Sequence, residues 1–361
     1  MTILLTGGGS GGHITPLLAV AAELRRQAPG SKIVFVGQKG DKFGGRLRGD
    51  RLIDEAEFIS AGKFRRYHGQ ALAWLNLKDW ALNIRDFFRF LAGIGQSWRL
   101  IGALSPDVVF IKGGFVGVPI GIASALKGVP FVTHDSDAIP GLANRLIARW
   151  AKVNSVALPA REYKSYSPDK VITVGIPLQA EYRMVTKTMH NAAKQAVGID
   201  VLQRVVLLTG GGLGAVKLND LFISITPELL ERFRDLVIVH QAGEKMKEKV
   251  RADYQKRLEK TDFERIKVLG FCRRMYNYSA SADVIITRAG ATALAEYGIQ
   301  KKACIVVPNA NLTGGHQILN ARLLEKRHAA LVVEESRAAG GELIAAITKL
   351  LKDSNEAERL A

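Results

Sequence analysis

Short runs of Val, Ile and Leu recur along the chain, separated by longer stretches in which apolar residues return every three or four positions. In the first half the runs cover residues 3–6, 32–36, 107–111, 130–133 and 171–174; in the second half they cover 205–209, 236–240, 266–269, 283–287 and 304–307. A strand buried on both faces is an uninterrupted apolar run, and helices that alternate with such strands connect them in parallel. The pattern therefore predicts an α/β protein built on doubly wound parallel sheets.

A chain of 361 residues exceeds the usual size of one domain. The stretch 174–183 contains a glycine and a proline that interrupt regular structure just before a new cycle of helix and strand begins. We therefore predict two domains and a tail: residues 1–175, residues 176–335 and a helical segment over 336–361.

Two predicted strands run directly into glycine-rich loops. The strand at 3–6 leads into Gly7–His13, and the strand at 205–209 leads into Gly210–Ala215. Such a loop, followed by a helix, presents unpaired backbone N–H groups and the positive end of the helix dipole, which attract phosphate. The repetition favours two similar domains that bind a nucleotide-type ligand.

The first loop formally satisfies the dinucleotide pattern through Gly7, Gly9 and Gly12. A dinucleotide site also needs an acidic residue where the second strand ends, and here the first acid, Asp41, comes later than that. The pattern therefore disfavours NAD. A tight turn alone would explain one or two of these glycines, whereas five within six residues indicate close approach of a ligand.

Two groups in the first half are candidates for a catalytic base. His13 follows the first loop, where it is either a hydrogen-bonded cap or a general base for an alcohol. The run His134–Asp137 follows the predicted strand at 130–133 and is either a polar turn that caps a helix or a set of ligand groups. We expect His13 to be the base, with Asp137 as the second candidate.

In the second half, the strand at 283–287 leads into Arg288 and a run of small residues that ends at Glu296. Arg288 is suited to phosphate, and Glu296 could accept both hydroxyls of a ribose; the alternative for Glu296 is a surface position on an amphipathic helix. Gln317 and Asn320 belong to a polar cluster that opens a later helix.

The charge balance restricts the class of partner. Fifty-one basic and 34 acidic residues give a formal charge of +17, which favours a nucleic acid, an anionic membrane or a phosphorylated ligand. Cys272 and Cys304 have no metal-ligand spacing, so we expect neither a zinc site nor a disulfide scaffold. The N-terminus lacks the pattern of a signal peptide, and the most apolar stretch, 115–126, is too short to span a bilayer.

The segment 60–100 combines aromatic and basic residues, with Trp80, Phe87 and Phe88 on one predicted helix face and Arg85 and Arg89 on another. This composition suits an anionic membrane interface. The alternatives are a core helix with a solvated basic face and, less favoured because no recognisable module accompanies it, a site for single-stranded nucleic acid.

With these motifs assembled, the sequence resembles the MurG family of bacterial transferases along nearly its whole length. The family's Gly-Gly-Thr-Gly-Gly-His loop corresponds to Gly8–His13, and its glycine-aromatic turn corresponds to Gly113–Phe115. The other matching segments are Gly141–Asn144, Arg288–Glu296, and Gln317 with Asn320.

The resemblance implies the GT-B fold, in which two Rossmann-like domains with parallel sheets face each other across a cleft. It implies an inverting transfer of N-acetylglucosamine from UDP-GlcNAc to the muramyl-peptide carried on undecaprenyl pyrophosphate, a step of peptidoglycan synthesis. The protein would act peripherally on the cytoplasmic face of the cell membrane, without a nucleic-acid partner, a cofactor or an essential protein-bound metal.

The resemblance also implies roles for individual residues. Contacts to substrate in the first domain would come from Ser10, Gly11, Gly12, His13 and Asn144. In the second domain they would come from Gly211, Gly212, Arg288, Gly290, Ala291, Thr292, Ala293, Leu294, Glu296, Gln317 and Asn320, with the backbone at Cys272 reading the uracil edge. Membrane docking would involve Trp74, Trp80, Arg85, Phe87, Phe88 and Arg89.

The sequence departs from the family at several positions. The family's His-Glu-Gln-Asn corresponds to His134–Asp137 here, so that Asp137 stands in place of an asparagine. At a separate position, Gln179 stands in place of an arginine. The second loop lacks the family's serine and glutamine. Two alternatives therefore stay open: a related GT-B enzyme with another acceptor, such as a glycolipid synthase or a UDP-sugar epimerase, and a non-catalytic nucleotide-sugar-binding protein.

Overall fold

The computed structural model describes residues 1–8, 11–41, 44–62, 77–211, 214–272, 274–310 and 315–361. The chain divides into two compact units, Met1–Gln179 and Ala180–Ala361, so that the division falls within the predicted hinge stretch 174–183. The predictions made for Ser10, Gly212 and Trp74 lie outside the described residues.

The first unit is built on a seven-stranded sheet whose paired strands are all parallel. Its strands are β1 (Thr2–Thr6), β2 (Lys32–Gln38), β3 (Glu55–Ile59), β4 (Val108–Ile111), β5 (Phe131–Asp135), β6 (Val153–Val156) and β7 (Val171–Thr173). The spatial order is β3-β2-β1-β4-β5-β6-β7. Thr6 pairs with Ile111, and Ile111 pairs with Thr133, so β1, β4 and β5 reach the same edge of the sheet together.

In the described part of this unit, the connections between strands include the helices α1 (Gly11–Gln27), α2 (Leu77–Leu104), α3 (Gly117–Leu126) and α4 (Leu142–Ile147). Apolar residues of the strands point alternately to two cores, one of which includes Leu4 and Val109, and the other Ile3 and Phe35. A sheet covered on both faces explains why these strands are continuous apolar runs in the sequence.

The second unit has a six-stranded parallel sheet in the order β10-β9-β8-β11-β12-β13. Its strands are β8 (Arg204–Thr209), β9 (Leu236–Gln241), β10 (Ile266–Leu269), β11 (Val284–Thr287), β12 (Cys304–Val306) and β13 (Leu331–Val332). The helices are α5 (Lys187–Ala196), α6 (Val216–Arg232), α7 (Lys247–Arg257), α8 (Lys260–Phe263), α9 (Met275–Ser281), α10 (Ala291–Ile299), α11 (His316–Lys326), α12 (Glu335–Arg337), α13 (Leu343–Lys352) and α14 (Ser354–Leu360). The C-terminal helices share the core of this sheet, since Leu343, Ile347 and Leu360 are buried beside Val206.

All ten strands predicted from the apolar runs are present, and the fold class is confirmed. Three further strands were not predicted: β3, β6 and β13. Two of them, β3 and β13, are edge strands, which lack the double burial that produces a long apolar run. The third, β6, carries buried Asn154 and Ser155, which bond to the side chain and carbonyl of Thr133 at 2.7 and 2.6 Å.

Helix α2 exposes the aromatic face that the sequence indicated. Trp80 is 58% and Phe88 is 65% exposed, and Ile84, Phe87 and Leu91 are exposed beside them. Arg85 and Arg89 are also exposed, on an adjacent face. The interpretation of this aromatic face as buried core is therefore wrong for the described residues. No helix in the described parts of the chain combines the length and apolarity needed to cross a bilayer.

The opposite face of α2 lies unusually close to the chain that follows β3. A Cβ at Gly93 would lie 2.2 Å from the Ser60 carbonyl oxygen, and a Cβ at Gly62 would lie 2.0 Å from the Asp86 carbonyl oxygen. Glycine at both positions lets the two backbones approach, and this contact fixes which face of the helix is left exposed.

Replacement of Gly93 by alanine tests this close approach. Because the added Cβ collides with backbone, we expect Gly93→Ala to lower the free energy of unfolding by about 1–3 kcal/mol, measured by urea denaturation. The matched control is Gly95→Ala on the same helix, where nothing lies within 4 Å of the new Cβ. It should instead raise stability by about 0.5–1 kcal/mol. Equal stability of the two variants would contradict the proposed contact.

Candidate active site

In the first unit, two loops meet at the ends of neighbouring strands. Gly7 and Gly8 follow β1, and Gly113 and Gly114 follow β4. Gly114 has φ +84°, and a Cβ there would lie 2.7 Å from the Gly8 carbonyl oxygen. The two loops therefore pack backbone against backbone, which a side chain at Gly114 would prevent.

His13 lies in the first turn of α1 and is half-buried. Its Nδ1 donates a hydrogen bond to the Gly8 carbonyl at 2.6 Å, because a carbonyl oxygen can only accept. Burial, with a further contribution from the positive charge of Lys112, lowers the pKa of His13 below its usual 6.5. At neutral pH the imidazole is therefore uncharged, and its Nε2 carries a lone pair.

Lys112 directly follows β4 and is almost fully buried. Burial lowers its pKa to about 8, and the negative charges of Asp135 and Asp137 oppose that change. In the sequence this lysine stands out only as part of a glycine turn. No local pattern distinguishes a buried lysine from the exposed ones that are common elsewhere in the chain.

The run His134–Asp137 is largely structural at its first two positions. Asp135 accepts hydrogen bonds from Tyr166 Oη at 2.5 Å and from the N–H of Gly141, just before α4, at 2.8 Å. His134 Nε2 donates to the Gly175 carbonyl at 2.8 Å, and burial lowers the pKa of His134 to about 3. These contacts agree with a polar turn that supports a helix, whereas Asp137 stays half-accessible.

Asn144 lies on α4 and is also buried. Its Nδ2 donates to the His134 carbonyl at 3.0 Å, which ties α4 to the end of β5. A Cβ at Gly113 would lie 3.5 Å from this amide. The structure thus places Asn144 beneath the glycine turn, and its predicted contact with substrate stays a prediction.

In the second unit, the loop after β8 is shaped by Thr209. Its hydroxyl donates to Gln241 Oε1 at 2.5 Å and accepts from the N–H of Gly211 at 3.2 Å. Gly211 and Gly214 have φ of +80° and +77°, and a Cβ at Gly214 would lie 2.4 Å from the Ala242 carbonyl oxygen. The backbone path into α6 therefore requires glycine.

Glu296 lies on α10, with its side chain half-buried. Burial raises its pKa to about 7, while a hydrogen bond from Tyr182 acts in the opposite direction. Tyr182 packs edge-on against Tyr276, with ring centroids 6.2 Å apart. Sequence patterns do not indicate Tyr182, since it lies 114 residues before the carboxylate to which it bonds.

Ala291, Thr292, Ala293 and Leu294 form the first turn of α10, with Gly290 directly before it. This helix start presents backbone N–H groups of the kind that bind phosphate oxygens. Gly11 and Gly12 occupy the equivalent place at the start of α1. The small residues predicted from the sequence therefore lie at helix N-termini in both units.

Arg288 follows β11 and is buried. Its Nη1 donates to the Val307 carbonyl at 3.1 Å, and its Nη2 forms an ion pair with Glu335 at 2.5 Å. The guanidinium thus joins the end of β11 to α12. Its predicted role toward phosphate stays a prediction, and no sequence signal indicated the partner Glu335.

Gln317 and Asn320, both on α11, form hydrogen bonds to the backbone of the preceding loops. Gln317 Oε1 accepts from the N–H of Asn309 at 2.9 Å, and Asn320 Nδ2 donates to the Ala289 carbonyl at 3.0 Å. Cys272 lies half-buried after β10, and burial raises the pKa of its thiol. Cys272 thus lies on the loop that follows β10, while Gln317 and Asn320, on α11, bond to the chain that follows β12 and β11.

The described residues include no group of three or more His, Cys, Asp and Glu side chains arranged to hold a metal ion. The absence of an essential metal stays a prediction.

Comparisons with known proteins cover both units. The model of the glycosyltransferase family 28 N-terminal domain matches residues 3–155, and that of the family 28 C-terminal domain matches residues 205–361. A relative from Natranaerobius thermophilus, named UDP-N-acetylglucosamine--N-acetylmuramyl-(pentapeptide) pyrophosphoryl-undecaprenol N-acetylglucosamine transferase, is 32% identical and aligns with 98% of this chain and 92% of its own. The crystal structure of Acinetobacter baumannii MurG superposes with a TM-score of 0.65 at 25% identity, over 97% of this chain and 92% of that one. The chain belongs to the MurG family of glycosyltransferases.

Family membership confirms the predicted enzyme class and the GT-B type of fold, with a parallel-sheet Rossmann-like domain in each half. A UDP-GlcNAc 2-epimerase from Neisseria meningitidis also superposes, with a TM-score of 0.61 over 100% of this chain and 94% of its own, but at 14% identity. That likeness shows the shared fold alone. The roles of individual residues in this MurG-family chain stay predictions.

Proposed function

We propose that this chain transfers N-acetylglucosamine from UDP-GlcNAc to the muramyl-pentapeptide carried on undecaprenyl pyrophosphate, in peptidoglycan synthesis. The observation that carries the proposal is the match to MurG-family transferases at about one-third identity over nearly the whole chain. The preserved glycine loops and the geometry of His13 and Glu296 support it.

The reaction is an inverting displacement. The acceptor hydroxyl attacks the anomeric carbon as UDP leaves from the opposite face, so one proton must leave the hydroxyl and negative charge must be stabilised on the diphosphate. His13 Nε2 accepts the proton, since Nδ1 is already committed to the Gly8 carbonyl. Backbone N–H groups at the start of α10 and in the loop before α6 stabilise the departing diphosphate.

Turnover tests the role of His13. His13→Asn keeps a side-chain donor that can reach the Gly8 carbonyl but removes the base, so we expect kcat to fall by about 10²–10⁴-fold. The measurement is transfer of labelled GlcNAc to lipid-linked muramyl-pentapeptide. The matched control is His328→Asn, at an exposed histidine with φ +53° that asparagine tolerates. Full activity of His13→Asn would contradict this assignment, and no transfer by the unmodified protein would contradict the proposed function.

We propose that Glu296 binds the ribose by accepting hydrogen bonds from its hydroxyl groups. The ionised carboxylate accepts such hydrogen bonds better than the protonated acid does. Since burial raises its pKa to about 7 in the free protein, UDP affinity should increase as the pH rises through 7 and level off above it. Below that value we expect Kd to rise by up to tenfold per pH unit. Isothermal titration with UDP between pH 5.5 and 8.5 measures this.

In Glu296→Gln, UDP should bind more weakly, and its affinity should lose the change near pH 7 and keep only the dependence that comes from protonation of the UDP phosphate itself. The control Glu231→Gln changes an exposed glutamate on α6 by the same charge and should behave as the unmodified protein does. A wild-type UDP affinity that is flat from pH 5.5 to 8.5 would argue against contact between Glu296 and the ribose.

We further propose that the exposed face of α2 docks the protein peripherally on the cytoplasmic, anionic surface of the cell membrane. Trp80, Phe87 and Phe88 present apolar area that water solvates poorly, and Arg85 and Arg89 lie near enough to meet lipid phosphates. Docking would bring the lipid-linked acceptor within reach of the first domain.

Flotation with liposomes tests the docking face. Because each large apolar side chain contributes about 2 kcal/mol when it leaves water, Phe88→Ser should reduce binding to vesicles containing anionic phospholipid at least about tenfold. The matched control, Leu202→Ser, changes a side chain that is 84% exposed in the second unit and should have no effect. Equal loss in both variants, or none in either, would contradict a docking role for α2.

A further inference from the structure

Lys112 occupies the centre of the carboxyl edge of the first sheet. Its backbone N–H donates to the Thr6 carbonyl at 2.8 Å, which holds it beside the end of β1. A Cβ at Gly7 would lie 3.2 Å from the Cβ of Lys112, and the lysine is only 3% exposed. Lysine is rarely buried to this degree unless opposite charges lie near it.

Charged and titratable groups face Lys112 from both neighbouring strands. On the β1 side is His13, whose pKa the lysine lowers. On the β5 side are Asp135 and Asp137, which raise the pKa of Lys112, together with buried His134, whose pKa the lysine lowers. Lys112 thus lies between an imidazole and two carboxylates, with β4 between β1 and β5 in the sheet.

Charges of opposite sign act on the protonation of His13. Asp137 and Asp41, which follow β5 and β2, both raise the pKa of His13, whereas Lys112 lowers it. A carboxylate beside an imidazole favours the protonated ring, which cannot accept a proton from an alcohol. Asp137, the last residue of the run His134–Asp137 after β5, is such a carboxylate, and it is half-accessible.

We propose that Lys112 is a positioning residue for the transfer reaction: its buried ammonium offsets the charge of Asp137 at His13 and so acts together with burial to keep the imidazole unprotonated. The inference rests on the proposed function, in which His13 is the base. Lys112 and Asp137 then act as a compensating pair, so that replacement of either one alone disturbs the base more than replacement of both together.

The pH profile of kcat, measured at saturating donor and acceptor, tests the pair, because donor binding and the titration of Glu296 then no longer limit the rate. Loss of the ammonium in Lys112→Met should move the acidic limb to higher pH by about one unit, and Asp137→Asn should move it to lower pH. The double variant should lie near the unmodified protein. Lys152→Met removes the same charge from an exposed lysine before β6, at the opposite end of the strands, and should leave the profile unchanged.

A direct titration separates this inference from the proposed function. In the full-length chain with ¹³C-labelled histidine, the His13 resonance, assigned by its loss in His13→Asn, should titrate at higher pH in Lys112→Met and at lower pH in Asp137→Asn. Asp137 is half-accessible, so the second variant tests the pair even if Lys112→Met does not fold. An unchanged His13 midpoint in a folded Lys112→Met would overturn the inference. If the His13 midpoints shift as predicted but the protein transfers no GlcNAc, the proposed function is wrong and the inference about the charges around His13 stands.

Discussion

The hydrogen bonds of the first sheet bring the ends of β1, β4 and β5 level, and the candidate site of that unit depends on this alignment. A parallel ladder makes consecutive strands leave the sheet at the same edge, although they are far apart in the chain. The loop after each strand is then pressed against the loops of the neighbouring strands. At Gly114 the space beside the Gly8 carbonyl oxygen is too small for a Cβ, so the loops meet through their backbones, and the Gly8 carbonyl accepts the hydrogen bond that orients His13.

Exclusion of water over this edge has a second effect. It disfavours charge on every group enclosed there, so the pKa values of His13 and Lys112 fall while that of Asp135 rises. The second unit repeats the strand, loop and helix but uses them differently. There a hydroxyl from Thr209 fixes the loop, and the titratable group, Glu296, lies on another helix. Similar architecture thus places an imidazole of lowered pKa in one unit and a carboxylate of raised pKa in the other.

Much of the fold could be predicted because its causes are local. Double burial produces continuous apolar strands, and tight backbone paths require glycine, so ten strands and both loops can be found in the sequence. Strand β6 could not, since its buried Asn154 and Ser155 are acceptable only where Thr133 lies opposite. The residues of the candidate site likewise fall into those that local sequence motifs indicate and those that they do not. His13 and Glu296 follow motifs whose residue types suggest their chemistry, whereas the groups that set their protonation, Lys112 and Tyr182, are brought to them only by the tertiary fold. Likewise, Arg288 was predicted to be suited to phosphate, whereas no sequence signal indicated its ion-pair partner Glu335, which lies 47 residues away in the chain.

The amphipathic surface of α2 also has a consequence for the protein when it is free in water. Exposed side chains such as Trp80 and Phe88 favour contact between copies, while a formal charge of +17 keeps copies apart. Added salt screens that repulsion and leaves the apolar attraction intact. We therefore expect self-association of the protein to increase with ionic strength and storage at low salt to favour the monomer.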